Sequence, residues 1–286
     1  MDTASPDQPR SDRVKGFLVK TAQGYFCLDP RDQFVSKSIL QTGAYGLGEI
    51  ALAKQFCDAQ SKTLVVGAHI GTIAIPLSRI CQEVVAIEAN PATYELLRLN
   101  VLINGCTNLP TYDVAANHKD EPIQFVMNTH NTGGSKRMPK FHDQAYFYDN
   151  PKIATVRGVR LDDFLDSAGF DVLFMDIEGS EYFAFLGMQT ILSRARTLIV
   201  EFLPHHLSRV AGISVEQFLA PLMPHFNTLI LPTKRLVVGK DSFLNLLQSM
   251  FDQNEGAAAI IFDARPNLRG LEVSHGETKV YAGVQA

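Results

Sequence analysis

Short apolar runs alternate with helical patterns through most of this 286-residue chain. Residues 63–67 (Thr-Leu-Val-Val-Gly) and 84–88 (Val-Val-Ala-Ile-Glu) are short and rich in β-branched side chains, which is typical of buried strands. A helical pattern follows each run, and Asn90 with Pro91 gives the second helix a capping residue and a first-turn proline. Strands that alternate with helices predict a mostly parallel sheet with helices on both faces.

The same alternation continues toward the C-terminus and predicts further strands and helices of the same α/β sandwich. Residues 171–176, 197–201 and 258–262 have the apolar composition of further buried strands. Other strands are predicted at 16–28 (a hairpin), 109–114, 123–127, 228–231 and 236–238, and helices at 45–58, 72–80, 91–104, 161–168, 181–192 and 243–251.

The pattern divides the chain into three parts. Residues 1–12 are polar and are predicted to be a disordered tail, and residues 13–60 are predicted to form a lead-in of strands and a helix. Residues 61–286 then form the main domain. Within it, residues 128–152 interrupt the rhythm with Asn, Gly, Lys, His and aromatic side chains, which predicts an inserted loop or lid.

Composition and charge narrow the function classes. The formal net charge is −4, whereas proteins that bind nucleic-acid duplexes usually have more basic than acidic residues. We therefore expect no nucleic-acid partner. No apolar stretch is long enough for a membrane span or a secretory signal. The four cysteines form no CxxC pair and are expected to be reduced thiols. We therefore expect a cytoplasmic protein with no membrane partner; the sequence predicts no particular oligomeric state.

A small-residue turn follows the first of these buried strands. Residues 67–71 (Gly-Ala-His-Ile-Gly) let a ligand approach the backbone closely, and the next helix offers free N–H groups at its start. Glu88 ends the neighbouring strand 21 positions after Gly67, near the spacing of about 20 at which an acid binds the ribose of a nucleotide cofactor. Gly67 and Glu88 together predict an adenosine-binding cleft.

Two cofactor classes fit such a unit. A dinucleotide usually needs G-x-G-x-x-G to hold its pyrophosphate, whereas here His69 stands where the second glycine of that motif belongs. The spacing therefore favours a cofactor without phosphate, such as S-adenosylmethionine. An NAD(P)-dependent oxidoreductase and a non-catalytic nucleotide-binding domain remain as alternatives.

Several segments, taken in order, resemble the FkbM-type methyltransferases. They are residues 67–71, 88–91, 99–105, 161–164 and 176–181, followed by Glu201. The resemblance implies a Rossmann-like class I methyltransferase sandwich with a mostly parallel, seven-stranded sheet. Such an enzyme uses S-adenosylmethionine and releases S-adenosylhomocysteine. It also implies O-methylation of a hydroxyl on a sugar, polyketide or other small-molecule acceptor. A nucleic-acid methyltransferase is disfavoured because the chain has no N/D-P-P-Y/F motif.

The resemblance further implies which residues bind the cofactor. They are Gly67, Ala68, His69 and Gly71 at the methionine part, Glu88 at the ribose, Ala89, Asn90, Asp113, Val114 and Ala115 at the adenine, and Asp176 with Glu178 near the sulfonium. Many family members have Asp at the position of Val65 and Asn at that of His69. The first departure removes one polar contact expected for the amino group of the cofactor.

Methyl transfer to a hydroxyl requires in-line alignment and a group that accepts the proton. The candidate catalytic residues are Asp176, Glu201 and His205, with His206 as a further candidate base. A second hypothesis assigns Asp176, Glu178, Glu201 and His205 to Mg²⁺ or another divalent ion that activates a diol-type acceptor, although their spacing matches no known ligand motif.

Overall fold

A computed structural model describes residues 15–165 and 169–266. The predicted disordered tail at residues 1–12 lies outside the described residues. The same holds for the C-terminal end of the predicted helix at 161–168 and for the last residues of the predicted domain. Among the described residues, no helix is both long and apolar enough to cross a membrane.

Strands and helices alternate along these two ranges. The strands are β1 (Phe17–Thr21), β2 (Gly24–Leu28), β3 (Lys62–Val66), β4 (Glu83–Glu88), β5 (Thr111–Asp113), β6 (Ala115–Ala116), β7 (Glu121–Met127), β8 (Lys136–Arg137), β9 (Lys152–Val159), β10 (Val172–Met175), β11 (Thr197–Phe202), β12 (Thr228–Leu231), β13 (Leu236–Gly239) and β14 (Ala257–Asp263). The helices are α1 (Val35–Thr42), α2 (Leu47–Ala53), α3 (Ala74–Ser78), α4 (Pro91–Ile103), α5 (Leu161–Phe164), α6 (Glu181–Leu186), α7 (Gln189–Arg194), α8 (Val215–Leu219) and α9 (Phe243–Asp252).

The main sheet of the described chain has eight strands in the order β13-β12-β14-β11-β10-β3-β4-β5. The strands from β11 to β5 pair in parallel, whereas β14 is antiparallel to both β11 and β12, and β13 is antiparallel to β12. The predicted α/β sandwich is confirmed, but its sheet is mixed and has eight strands rather than seven. A short turn at Pro232–Lys234 lays β13 along the edge beside β12.

Side chains of the central strands alternate between two apolar layers, one on each face of the sheet. Leu64, Val66 and Leu173 pack in one layer, whereas Val65 and Phe174 pack in the other. This is the period-two alternation of a strand, and burial on both faces explains the continuous apolar runs in the sequence. Because β3, β4, β10 and β11 are parallel, their carboxyl ends meet at one edge of the sheet.

A second sheet, in the order β6-β9-β7-β8, is formed by residues between β5 and α5. The run predicted at 123–127 belongs to this sheet as part of β7, which pairs antiparallel with β9. The sequence pattern does not predict β9, because its outward positions include an apolar residue, Ile153, that is 53% exposed. The segment 128–152 contains β8 and two 3₁₀ turns, and its action as a lid stays a prediction.

The N-terminal hairpin β1–β2 is joined to α4 by one buried amide. Asn100 Oδ1 accepts the Cys27 N–H at 2.6 Å, and its Nδ2 donates to the carbonyls of Cys27 at 3.3 Å and Ile70 at 2.9 Å. Asn100 is fully buried. Because Ile70 belongs to the turn that follows β3, this single side chain connects the hairpin, the helix and that turn.

Replacing Asn100 with Ala should lower the free energy of unfolding by about 2–4 kcal/mol, because buried backbone groups lose their partner. Urea denaturation followed by circular dichroism measures this loss. Asn104 makes a similar bridge to Tyr25 at an exposed position, where water can replace the amide. Asn104→Ala is therefore the matched control, with an expected loss below about 1 kcal/mol. Equal losses in the two variants would contradict the role assigned to Asn100.

Candidate active site

Two backbone turns meet at the carboxyl ends of β3 and β10. Gly67 has a φ of +85°, and a Cβ at this position would clash with the carbonyl oxygen of Asp176. Gly67 and Ala68 both donate their N–H groups to the Ile87 carbonyl at 2.9 Å, which ties the turn to β4. His69 also has a left-handed backbone, with a φ of +50°, a region that His adopts more readily than most residues.

The Glu88 carboxylate lies against this turn. Its Oε2 accepts the His69 N–H and its Oε1 accepts the Asn90 N–H, both at 2.8 Å. Burial raises the pKa of Glu88 to about 7, and the N–H donors oppose that rise. Each carboxylate oxygen can accept a further hydrogen bond, so Glu88 retains acceptor capacity for a diol. The structure therefore brings the Gly67 turn and Glu88 together.

The other residues predicted to bind the adenosine part of the cofactor lie at or just after the carboxyl ends of β4 and β5. Asn90 is buried and caps α4, with its Oδ1 accepting the Ala92 N–H at 3.1 Å. Ala89 packs against the apolar cluster that contains Ala115. Asp113 is exposed and pairs with the end of β4, and Val114 and Ala115 behind it are buried. These residues thus lie where β4 and β5 end, and Ala115 already begins β6 of the second sheet.

The connection between β7 and β8 covers the turn after β3. Thr132 Oγ1 lies 2.8 Å from His69 Nε2 and donates to the Asp32 carboxylate, which also accepts the Thr132 N–H at 3.0 Å. Ser135 Oγ accepts a hydrogen bond from Asn90 Nδ2 at 3.2 Å. Sequence reasoning missed Asp32, Thr132 and Ser135, because their partners are distant in the chain and no motif joins them.

The loop before α2 forms another wall of the site. Gln23 Oε1 accepts the Tyr45 N–H at 2.7 Å, and its Nε2 donates to the carbonyls of Tyr45 at 2.6 Å and Thr72 at 3.0 Å. Burial, followed by the negative charges of Asp176 and Glu49, raises the pKa of the Tyr45 phenol. Tyr45 is thus a residue of the acidic side of the site that the sequence did not reveal.

Four acidic side chains gather where β10 and β11 end. Glu181 accepts backbone N–H groups of its own turn at 3.0 and 3.4 Å. Glu178 has a left-handed φ of +55° and pairs with Lys136 Nζ at 2.9 Å. Burial, and then repulsion by neighbouring carboxylates, raises the pKa of Asp176 and of Glu201 well above the usual range. The carboxyl groups at the ends of β10 and β11 therefore favour the binding of protons and cations.

The chain after β11 brings one of two adjacent histidines into the acidic cluster. His206 begins a π-helical turn and is 3% exposed, with Nε2 at 3.2 Å from Glu178 Oε2 and Nδ1 at 3.4 Å from Glu201 Oε2. Burial and neighbouring positive charge lower its pKa well below the usual range, which favours the neutral imidazole. His205 is exposed, and its Nδ1 lies 3.0 Å from Tyr146 Oη.

A family model described as the methyltransferase FkbM domain matches residues 66–254, from the end of β3 to just beyond α9. The chain belongs to the FkbM methyltransferase family. Membership favours S-adenosylmethionine-dependent methyl transfer over the NAD(P)-dependent alternative. A search of curated proteins finds no significant match to the sequence.

Solved structures that are similar to this FkbM methyltransferase share little sequence with it. A TehB-like S-adenosylmethionine-dependent methyltransferase from Corynebacterium glutamicum is 12% identical over 79% of this chain and 93% of that chain, with a TM-score of 0.43. PH0793 from Pyrococcus horikoshii is 13% identical, and the match covers 75% of this chain and 63% of that chain, with a TM-score of 0.41. A tRNA m1G37 methyltransferase from M. jannaschii is 12% identical over 66% and 44% of the two chains, with a TM-score of 0.35.

The two departures from the family pattern have different structural settings. Val65 is fully buried in an apolar layer together with Phe174, so β3 offers the cleft no polar side chain from this position. The left-handed backbone of His69 is one that Asn also tolerates, which explains how either residue fits the turn of an FkbM methyltransferase.

Gly179 allows the turn with Glu178 to pack against the turn with His206. Its φ is +95°, and an added Cβ would lie 2.7 Å from Val210 Cβ and 3.1 Å from His206 Cβ. Gly179→Ala should therefore lower the free energy of unfolding by about 2–4 kcal/mol through backbone strain and overpacking. Gly105→Ala is the control, because Gly105 has a φ of +65° with nothing within 4 Å, and only strain of about 1–2 kcal/mol is expected there. Chemical denaturation of both variants compares the losses; a smaller loss for Gly179→Ala would exclude the close packing.

Proposed function

We propose that this FkbM methyltransferase transfers the methyl group of S-adenosylmethionine to a hydroxyl oxygen of a small molecule such as a sugar or polyketide. The main support is the cluster of Asp176, Glu178, Glu201 and His206 beside the Gly67 turn. A hydroxyl attacks more readily when a positioned side chain accepts its proton, and all four of these groups can accept protons.

The adenosine half of the cofactor fits the edge formed by β3, β4 and β5. Gly67 and Ala68 present backbone without bulky side chains, and Glu88 has acceptor capacity for both ribose hydroxyls. The proposed cofactor-binding residues are Gly67, Ala68, His69, Gly71, Glu88, Ala89, Asn90, Asp113, Val114, Ala115, Asp176 and Glu178. When bound, S-adenosylmethionine supplies an electrophilic methyl group.

Asp176 is the proposed proton acceptor. It follows β10 directly, its carbonyl abuts Gly67, and its charge acts on the Tyr45 phenol. The backbone of Asp176 therefore adjoins the cofactor turn, and its carboxyl group is close enough to Tyr45 to influence the pKa of that phenol. In this place it can align an acceptor hydroxyl and take its proton as the new carbon–oxygen bond forms.

A small, uncharged or cationic acceptor suits these walls better than a nucleic acid. The net charge of the chain is −4, and the carboxyl groups of Asp176, Glu178 and Glu201 lie close enough together to repel one another electrostatically. Phosphate groups would be repelled there. The contacts of Thr132 with Asp32 and His69 also narrow the approach to the turn after β3.

The proposed ribose contact is tested by binding of S-adenosylhomocysteine. Glu88→Gln should weaken binding at pH 8 by about 10–100-fold, because a charged acceptor is lost. In the wild type the ionised carboxylate binds better, so affinity should rise about tenfold from pH 6 to pH 8 as Glu88, with a pKa of about 7, loses its proton. Isothermal titration at several pH values gives both results.

Glu88→Gln should show a nearly flat pH profile. Glu95→Gln, which removes an exposed carboxylate on α4, is the charge control and should behave as the wild type does. Absence of S-adenosylhomocysteine binding to the folded wild type would remove the proposed function. Binding without methyl transfer to any hydroxylated compound would instead support a non-catalytic nucleotide-binding domain.

Asp176→Asn should lower kcat by about 10²–10³-fold with an acceptor found in a panel of sugars and hydroxylated small molecules. The amide retains the shape of the side chain but accepts protons poorly. Affinity for S-adenosylhomocysteine should change by less than about tenfold, because the main cofactor contacts lie on the turn and on Glu88. Steady-state kinetics with product detection by mass spectrometry provides the comparison. A kcat close to that of the wild type would exclude Asp176 as the proton acceptor.

A further inference from the structure

We propose that Glu178, Glu201 and His206 form a divalent-cation site that binds two neighbouring oxygen atoms of the acceptor. One ligand atom from each of these side chains lies within 4.8 Å of the other two, a spacing that donors around a single ion can adopt. The cation site depends on these three side chains alone, whereas its role in acceptor binding rests on the proposed function.

The His206 imidazole is the observation that points to a cation. Its two nitrogens face carboxylate oxygens, Nε2 that of Glu178 at 3.2 Å and Nδ1 that of Glu201 at 3.4 Å. A neutral imidazole has one N–H, so the other nitrogen directs a lone pair at a carboxylate. Nδ1 is buried and has no hydrogen-bond partner among the described residues. A bound cation would turn this unfavourable contact into coordination by both groups.

The positive charge of Lys136 alone does not balance the carboxylates of Glu178 and Glu201. Its Nζ contacts Glu178 at 2.9 Å and lies 5.0 Å from the centre of the Tyr146 ring. Glu201 is 7% exposed, and its Oε2 faces His206. The one ammonium therefore pairs with the half-buried carboxylate of Glu178 and not with the buried one of Glu201, and burial of a carboxylate without an opposite charge is costly.

The three side chains come from three elements whose backbones are irregular at these positions. Glu178 lies on a left-handed turn after β10, and His206 begins a π-helical turn, a conformation frequent at functional sites. The register between β11 and β14 shifts between Val200 and Phe202, which flank Glu201, and such irregularities redirect side chains. The backbone thus aims all three groups at one point.

The donor set indicates both the kind of ion and the kind of acceptor. Two carboxylates and one imidazole suit Mn²⁺ or Zn²⁺. Three protein ligands leave coordination positions free for other oxygens, so a vicinal diol or an α-hydroxy carbonyl compound can chelate the ion. Coordination makes the hydroxyl more acidic, and its proton passes to Asp176 as the oxygen bonds to the methyl carbon and the carbon–sulfur bond breaks.

Titration of the 286-residue chain with Mn²⁺, followed by electron paramagnetic resonance of the free ion, tests the site. We expect one bound Mn²⁺ per chain. Glu201→Gln and His206→Gln should each weaken binding by about tenfold or more. His205→Gln removes the adjacent exposed histidine, and Glu49→Gln removes a nearby carboxylate that is outside the ligand set, so both should bind within about threefold of the wild type.

Folding and cofactor binding are measured on the same preparations by circular dichroism and by S-adenosylhomocysteine titration. Loss of Mn²⁺ binding in a variant that still binds S-adenosylhomocysteine supports the cation site. No stoichiometric Mn²⁺ in the wild type, or equal binding by His206→Gln and His205→Gln, would overturn it and leave Lys136 as the resident cation. Mn²⁺ binding without S-adenosylhomocysteine binding would retain the cation site and remove the proposed function.

Discussion

Burial of carboxylates at the carboxyl ends of parallel strands is the constraint on which the rest of this structure depends. Removing a charged group from water is costly unless hydrogen bonds or opposite charges compensate. Backbone N–H groups donate hydrogen bonds to Glu88 and Glu181, and Thr132 donates to Asp32. Lys136 forms an ion pair with Glu178. The turns and connections around the site are arranged to provide these partners.

Much of the main sheet could be predicted, because its central strands are buried on both faces. Such strands leave continuous apolar runs, and β3, β4, β10 and β11 all lie within a residue or two of their predicted bounds. The start of α4, with Asn90 as its cap and Pro91 as its first residue, was also predicted, since capping is a local interaction. Of the second sheet, the sequence predicted β7 but not β8 or β9, because β8 has two residues and β9 exposes the apolar side chain of Ile153.

Some residues of the candidate site could likewise be predicted from the sequence, and others could not. The Gly67 turn and Glu88 come together because they end neighbouring strands, a relation that spacing alone predicts. Tyr45 and Thr132 reach the site through Gln23 and Asp32, and contacts between such distant segments leave no mark on local sequence. The choice between His205 and His206 depends on how the turn after β11 begins, and adjacent residues cannot be separated by position in the chain.

The wall built by Gln23 and Tyr45 lies upstream of residue 66, where the matched family domain starts. A comparison or an excised fragment confined to the domain boundaries would therefore omit one side of the proposed acceptor cleft. If relatives differ in the compounds they modify, the differences should be sought in these preceding segments as much as in the cofactor-binding strands. The shared fold would then supply the chemistry, while a less recognisable N-terminal flank selects what is methylated.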